Sequence, residues 1–369
     1  MAPLHKTGAV ALTAALLVGT LLITACEADE PGLEVEEMAR VHAPEIPEYG
    51  PERWINADPL TMEELRGRVV LVDFWEYTCV NCLRTLPYIR EWHERYADLG
   101  LVIIGVHAPE FEFGYERENL ARAVEELGIE YPVFMDNDFA LWSRYSNSWW
   151  PRKILVEPQG YIVHDHIGEG GYGRMESEIQ RLIGELNPEA ELPPIMEPVN
   201  EKDRPGAVCY PMTPELYAGY MRGRYAHRVY PDQESRYETA AVFDLDKAHL
   251  FGDWRVENER LRHFREVEPP GDRITIRFRA TEVNAVLEPA KGEAYRVPVE
   301  LDGKPISREE AGADVRWDED GASYLLVDSG RMYRVVETPE YGDRLLTFFA
   351  DGPDFALYAY TFGACAVPE

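Results

Sequence analysis

Asp73-Phe74-Trp75-Glu76-Tyr77-Thr78-Cys79-Val80-Asn81-Cys82, followed by Pro87, is the stretch that decides the fold. Residues 68–74 read as a buried strand and 79–97 as a helix, so the C-x-x-C opens a helix directly after a strand. At that position the free backbone N–H groups and the macrodipole favour a thiolate at Cys79. Cys82, one turn further in, is shielded and reads as the resolving thiol. Cys79 would attack a disulfide, and Cys82 would then displace the mixed disulfide. The competing reading, half of a zinc site, needs a second set of ligands. No second C-x-x-C exists, and although His164 and His166 share one face of a strand, nothing places them beside the cysteines. No metal and no cofactor is expected. Glu76 is expected to point to solvent, and Pro87 to kink the helix.

Working outward, strands and helices alternate. Residues 101–107 form a second buried strand, 116–127 an amphipathic helix, 131–135 a short strand and 139–145 a helix. A hairpin of 153–157 and 161–167 turns at Pro158-Gln159-Gly160, and 174–186 closes as a helix. This is an α/β sheet with covered faces. Residues 187–205 hold five prolines and several carboxylates with no periodic apolar face, which marks a linker. Beyond it, short segments at 273–279, 283–287, 324–327, 332–336 and 355–361 alternate or run β-branched. Asp-Gly turns at Asp302-Gly303, Asp320-Gly321 and Asp351-Gly352 punctuate them, the texture of an all-β sandwich.

Length and composition agree with this. A chain of 369 residues, 45% hydrophobic and 11% aromatic, can bury two ordinary cores. The net charge of −30 excludes nucleic acid as a partner and disfavours anionic membrane surfaces. At the N-terminus, His5 and Lys6 precede an uncharged apolar run over 9–23, the length of a signal-peptide core rather than a membrane span. The run ends in Ile23-Thr24-Ala25-Cys26, which resembles the lipobox of bacterial lipoproteins. That resemblance implies a lipid on Cys26, an exported protein, and anchoring to the membrane facing the periplasm or cell exterior. A plain signal sequence with an incidental cysteine is the alternative. In such an oxidising compartment the remaining pair, Cys209 and Cys365, is expected to be bridged, closing a loop of about 155 residues. The expected organisation is a signal peptide at 1–26, an acidic tether at 27–45, an α/β domain at 46–187, a Pro-rich linker at 188–205 and a β-sandwich at 206–369.

Residues 70–87 resemble the active-site strand and helix of the thioredoxin superfamily. More narrowly, the chain resembles the extracytoplasmic thioredoxin-like region of DipZ-type cytochrome c biogenesis proteins (TlpA-like). The likeness runs through 56–72, the Phe-Trp-x-Tyr-Thr-Cys-x-Asn-Cys-Leu-Arg-Thr-Leu-Pro core, Gly105-Val106-His107-x-Pro109-Glu110-Phe111, Asp136-Asn137-Asp138, Trp150-Pro151 and His166-x-Gly168-Glu169-Gly170. The resemblance implies a thioredoxin fold followed by a jelly-roll similar to carbohydrate-binding modules, with Pro214-Glu215-Leu216-Tyr217-x-Gly219-Tyr220 and Thr361-Phe362-Gly363 at its borders.

The same resemblance assigns roles. Asp73 matches a buried carboxylate with a raised pKa that takes the proton from Cys82. Pro151 matches the cis-proline that faces the active site. Trp75, Tyr77 and Trp150, with Trp149, suggest a collar for a partner's peptide, core packing being the other fate of such aromatics. Glu76 stands where the narrower family commonly has Thr, and His166 and Glu169 have no assigned role. Trp254 and Trp317 either stack on envelope glycan or fill the sandwich core. The implied activity is reduction of protein disulfides, with protein thiols and disulfides as substrates and a separate membrane electron donor of the CcdA type. A disulfide oxidase and a glycan-binding protein with a vestigial thioredoxin domain are the alternatives. Peroxide reduction requires a Thr two residues removed from the reactive Cys, whereas Thr78 is adjacent to Cys79.

Overall fold

Val69-Val70-Leu71-Val72-Asp73-Phe74-Trp75 is rich in β-branched side chains, and all seven residues are buried as the central strand of a six-stranded sheet. In the computed structural model, which describes residues 40–238, 242–268 and 271–366, the sheet comprises β1 (Trp54–Ile55), β2 (Val69–Trp75), β3 (Leu101–His107), β4 (Val133–Met135), β5 (Arg152–Val156) and β6 (Ile162–Ile167). Its order is β1-β4-β3-β2-β5-β6, with β2, β3 and β4 mutually parallel and the rest antiparallel. Helices α1 (Val80–Tyr96), α2 (Arg117–Glu126), α3 (Ala140–Arg144) and α4 (Tyr172–Leu186) complete this part. The segment expected to be a signal peptide, Cys26 and most of the expected acidic tether lie outside the described residues. Among the described residues no helix is long and apolar enough to cross a membrane.

Strand alternation divides β2 between two cores. Val69, Leu71 and Trp75 pack with Leu86, Ile89 and Trp92 of α1 and with Ile179 and Ile183 of α4. Val70, Val72 and Phe74 face the opposite way, against Leu141 and Phe134. Period two therefore places Asp73 on the α1 side of the sheet. β4 begins two residues later than its apolar pattern suggests. Pro132 has no N–H to pair, and its carbonyl accepts from Gly105 N at 2.9 Å.

Beyond α4, residues 188–205 are not a free linker. Gln180 Nε2 donates to Pro193 O and Arg95 Nη1 to Pro194 O, while Tyr88 Oη accepts from Val199 N and donates to Asp203 Oδ2. The segment is a strap along α1 and α4.

The second part is a β-sandwich whose two longest strands, Asp272–Pro289 and Arg331–Ala350, pair antiparallel along most of their length. The segments expected separately at 273–279 and 283–287 are one strand with register shifts after Ala280 and Val283, which let it bend without ending. Its first half also pairs with Ala248–Val256 and its second half with Phe355–Gly363, and Leu261–His263 joins those two. The sheet thus curls until four strands close on themselves. Trp254 is fully buried in this core, and Trp317 carries Arg308 over its ring at 4.4 Å, so neither presents a free aromatic platform for a sugar. Cys209 and Cys365 are disulfide-bonded, joining two short antiparallel strands.

An apolar seam joins the two sheets. Phe111 and Phe113 meet Tyr358 at ring separations of 5.1 and 5.0 Å. Val286, Met332 and Ala359 belong to the same core cluster as Trp75 and Tyr77. Arg84 of α1 adds a polar tie, donating to Glu282 Oε2 at 2.7 Å.

Candidate active site

The break between β2 and α1 is short because Glu76 folds the chain back. Its Oε2 accepts from Thr78 N at 2.6 Å and from the Thr78 hydroxyl, and its carbonyl accepts from Cys79 N at 3.3 Å. This corrects the expectation that Glu76 points to solvent. It is 1% exposed, with Oε1 3.6 Å from His107 Nε2. Oε2 is satisfied by the turn it closes, whereas Oε1 is buried without a hydrogen-bond partner among the described residues.

That turn delivers Cys79 to the N-cap of α1, where its Sγ accepts from Cys82 N at 3.2 Å and lies 2.6 Å from Cys82 Sγ. Cys79 is half-buried, whereas Cys82 is fully buried. Burial, and then the neighbouring Cys79 sulfur, push the Cys82 thiol well above its ordinary pKa. It therefore waits as a protonated thiol.

Asp73 lies within electrostatic reach beneath it. The β2–β5 register sets Asp73 directly opposite Lys153, with Oδ1 and Nζ 3.7 Å apart and both side chains essentially inaccessible. Burial raises the Asp73 pKa and the Lys153 ammonium opposes that rise. Lys153 is a site residue the motif reading missed. Its one visible signal is a lysine inside the otherwise apolar Lys153-Ile154-Leu155-Val156 run.

Pro151 is buried and follows a cis Trp150-Pro151 bond, as expected from the resemblance. The aromatic collar is smaller than expected. Trp75 is fully buried and Tyr77 is 5% exposed, stacked on His107 at 5.4 Å, so neither meets a peptide at the surface. Both sit where the strand end enters the core beneath the seam. Trp150 does reach the site, with Nε1 donating to Ala108 O at 3.1 Å, and Trp149 is exposed beside it. His166 Nε2 lies 3.2 Å from Glu169 O, while the Glu169 carboxylate accepts from Arg84 Nη1 at 3.3 Å. These two side chains hold the turn and the helix rather than each other.

Cys79 and Trp150 line a cavity of about 240 Å³ between the two parts of the molecule. Glu110 joins them from the first part, and Glu215, Tyr217, Arg222 and Phe362 from the second. The arrangement combines an accessible sulfur, a buried partner thiol and a buried carboxyl–ammonium pair. It suits two-step disulfide exchange.

Comparison with known proteins places these features in context. Residues 56–183 match the Redoxin family, and residues 213–363 match the family described as Thioredoxin like C-terminal domain. The chain is 32% identical over 259 residues, 69% of its length, to Protein DipZ of Mycobacterium tuberculosis, and spans only 36% of that protein. It is 28% identical to Thiol-disulfide oxidoreductase YkuV of Bacillus subtilis, covering 37% of this chain and 91% of YkuV. With Thiol-disulfide oxidoreductase ResA of Halalkalibacterium halodurans it shares 27% identity over 37% of this chain and 72% of ResA.

Proposed function

From the premise that this chain pairs a redoxin domain with a thioredoxin-like C-terminal domain and is homologous to DipZ, we propose that it is a thiol–disulfide oxidoreductase acting through Cys79 and Cys82. The observation that carries this reading is the Cys79 sulfur at the N-cap of α1, 2.6 Å from the buried Cys82 sulfur. Cys79 attacks one sulfur of a substrate disulfide, forming a mixed disulfide and releasing the other sulfur as a thiolate. Cys82 then loses its proton toward Asp73 and attacks Cys79 Sγ. This expels the second substrate thiolate and leaves a Cys79–Cys82 disulfide. Two electrons pass to the substrate, and a reductant must restore the dithiol.

The direction proposed is reduction of protein disulfides, in the manner of cytochrome c biogenesis, with a membrane donor of CcdA type restoring the dithiol. The apolar run at 9–23 and Cys26 support export and lipid anchoring on the membrane facing the periplasm or cell exterior. Equilibration of the full chain in defined thiol buffers tests the direction. A potential near −270 mV supports a reductant, whereas one near −120 mV marks an oxidase. Loss of insulin reduction in Cys79→Ser tests the activity itself, and loss of lipid labelling in Cys26→Ala tests the anchor.

A further inference from the structure

The cavity at Cys79 has an unbalanced set of polar groups. Glu110 follows β3, its side chain is only 9% exposed, and its Oε1 accepts from Arg222 Nη1 at 2.7 Å and from Tyr217 Oη at 2.9 Å. Tyr217 Oη also lies 2.6 Å from Glu215 Oε2. A phenol has one hydrogen, so Tyr217 can donate to only one of these carboxylates. Arg222 serves Glu110 and covers the Tyr217 ring at 3.6 Å. Among the described residues no basic side chain stands within ion-pair distance of Glu215. With both carboxyls ionised, two negative charges face one guanidinium, and the group is short of one proton or one cation. Glu215 is the exposed member. It stands where an arriving ligand meets the cavity, and the Cys79 nucleophile lines the same space.

We propose that the second domain is the specificity half of the active site, selecting polypeptide disulfides with a cationic side chain beside the reacting S–S bond. This rests on the thiol–disulfide reading and names its substrate class. The cation settles against Glu215, relieving its repulsion with Glu110, while Cys79 attacks the adjacent sulfur. Electrons and atoms balance as in the parent reaction, because the cation is not consumed. A polypeptide is favoured over a small diamine disulfide by the shape of the seam. A second cavity of about 330 Å³ shares Glu110, Trp150, Tyr217 and Arg222 with the first, so an extended chain can continue past the reacting sulfur. Crowding by protein atoms and then the Glu110 charge push the Glu215 carboxyl up to about 7, which agrees with a site awaiting a positive group. The acidic molecule as a whole steers cations toward it.

The test uses the full chain, reduced and freed of reductant, in single-turnover mixing with cystamine, bis(2-hydroxyethyl) disulfide and dithiodiglycolate. These share a framework and differ in charge. Rates are divided by those of free dithiothreitol to remove intrinsic reactivity. The cationic member is expected to exceed the neutral one by about fivefold, the size of one partly exposed ion pair, and Glu215→Gln to bring that ratio near one. Cystine peptides with Lys or Gln beside the bridge form the second arm. A matching Lys preference assigns the site to polypeptides, and a preference confined to cystamine overturns that assignment. Equal normalised rates for all three small disulfides overturn charge selection while leaving the oxidoreductase reading intact. No reaction with any of them, or with insulin, removes both.

Discussion

Asp73 Oδ1 and Lys153 Nζ face each other at 3.7 Å beneath Cys82, and neither atom has a hydrogen-bond partner among the described residues. Two opposite charges in so dry a place stabilise each other only through proximity, and each lone pair or proton left over is costly. Such a pair is poorly explained as a device for stability. It is well explained as a proton acceptor kept ready beneath a thiol that must lose its proton once per turnover.

Replacing Asp73 with Asn should therefore separate chemistry from stability. The second step should slow by about 100-fold, the low end of general-base effects, with the mixed disulfide on Cys79 accumulating in mass spectra. Stability should respond in the opposite sense as pH rises. The folded-state pKa of Asp73 is raised, so its contribution is complete below about pH 3.9 and is lost as pH climbs through the folded value. Asn cannot ionise and escapes that loss. The urea midpoint of Asp73→Asn should gain on the wild type between pH 4.5 and pH 8. A constant difference would contradict an ionising buried carboxyl.

The Cys82 thiol gives a second, independent readout. Its pKa lies well above the ordinary thiol value because burial, then the Cys79 sulfur, penalise the thiolate. In Cys79→Ser, alkylation of Cys82 by iodoacetamide at pH 8 should run more than tenfold slower than for an unstructured cysteine. It should accelerate only at more alkaline pH. Rapid labelling at pH 7 would mean that Cys82 is neither shielded nor protonated.

How much of this was legible in the sequence depends on whether the information is local. The β2–α1 unit was readable, because a buried strand running straight into C-x-x-C leaves few alternatives, whereas the face of β2 that carries Asp73 emerged only from the two cores it divides. Lys153 was not, since its role exists only through the β2–β5 register. Glu76 was misplaced because its partner is two residues away, in a turn whose closure no periodicity reveals. Trp75 and Tyr77 read as a surface collar because the seam that buries them is built from Met332 and Tyr358, more than 250 positions later. The long sandwich strands were read in fragments because register shifts break the alternation at Ala280 and Val283.

Arg84 ties the redox helix to the second domain, and its removal should be felt at neutral pH. Its guanidinium donates to Glu282 at 2.7 Å and Glu169 at 3.3 Å, with its own side chain only 13% exposed. Although burial works to raise the Glu282 pKa, the Arg84 charge prevails and holds it below the usual carboxylate value. That stabilisation is present above about pH 4.3 and disappears as pH falls through the folded value. Arg84→Met should lower stability by about 1–3 kcal/mol at pH 7. The deficit should shrink as pH falls through the lowered folded-state value of Glu282, where the wild type also loses that charge. An undiminished deficit would assign Arg84 to packing alone.

The Cys209–Cys365 bridge should act on the unfolded chain more than on the site. The two residues are 156 positions apart, so the bond closes a loop containing nearly the whole sandwich. Restricting so long a loop contributes about 2–4 kcal/mol, chiefly by lowering the entropy of the unfolded ensemble. In the folded state the local work is already shared, because Tyr210 N donates to Ala364 O at 2.9 Å beside the bridge. The double variant Cys209→Ser/Cys365→Ser should therefore fold and keep its rate with bis(2-hydroxyethyl) disulfide, while its urea midpoint falls. To isolate this bond from the active-site pair, the comparison belongs in a Cys79→Ser/Cys82→Ser background. There, dithiothreitol should move the bridged protein's midpoint down to that of the serine variant and leave the variant unmoved. If reductant left the bridged protein unchanged, the stability of the sandwich would rest on its core alone.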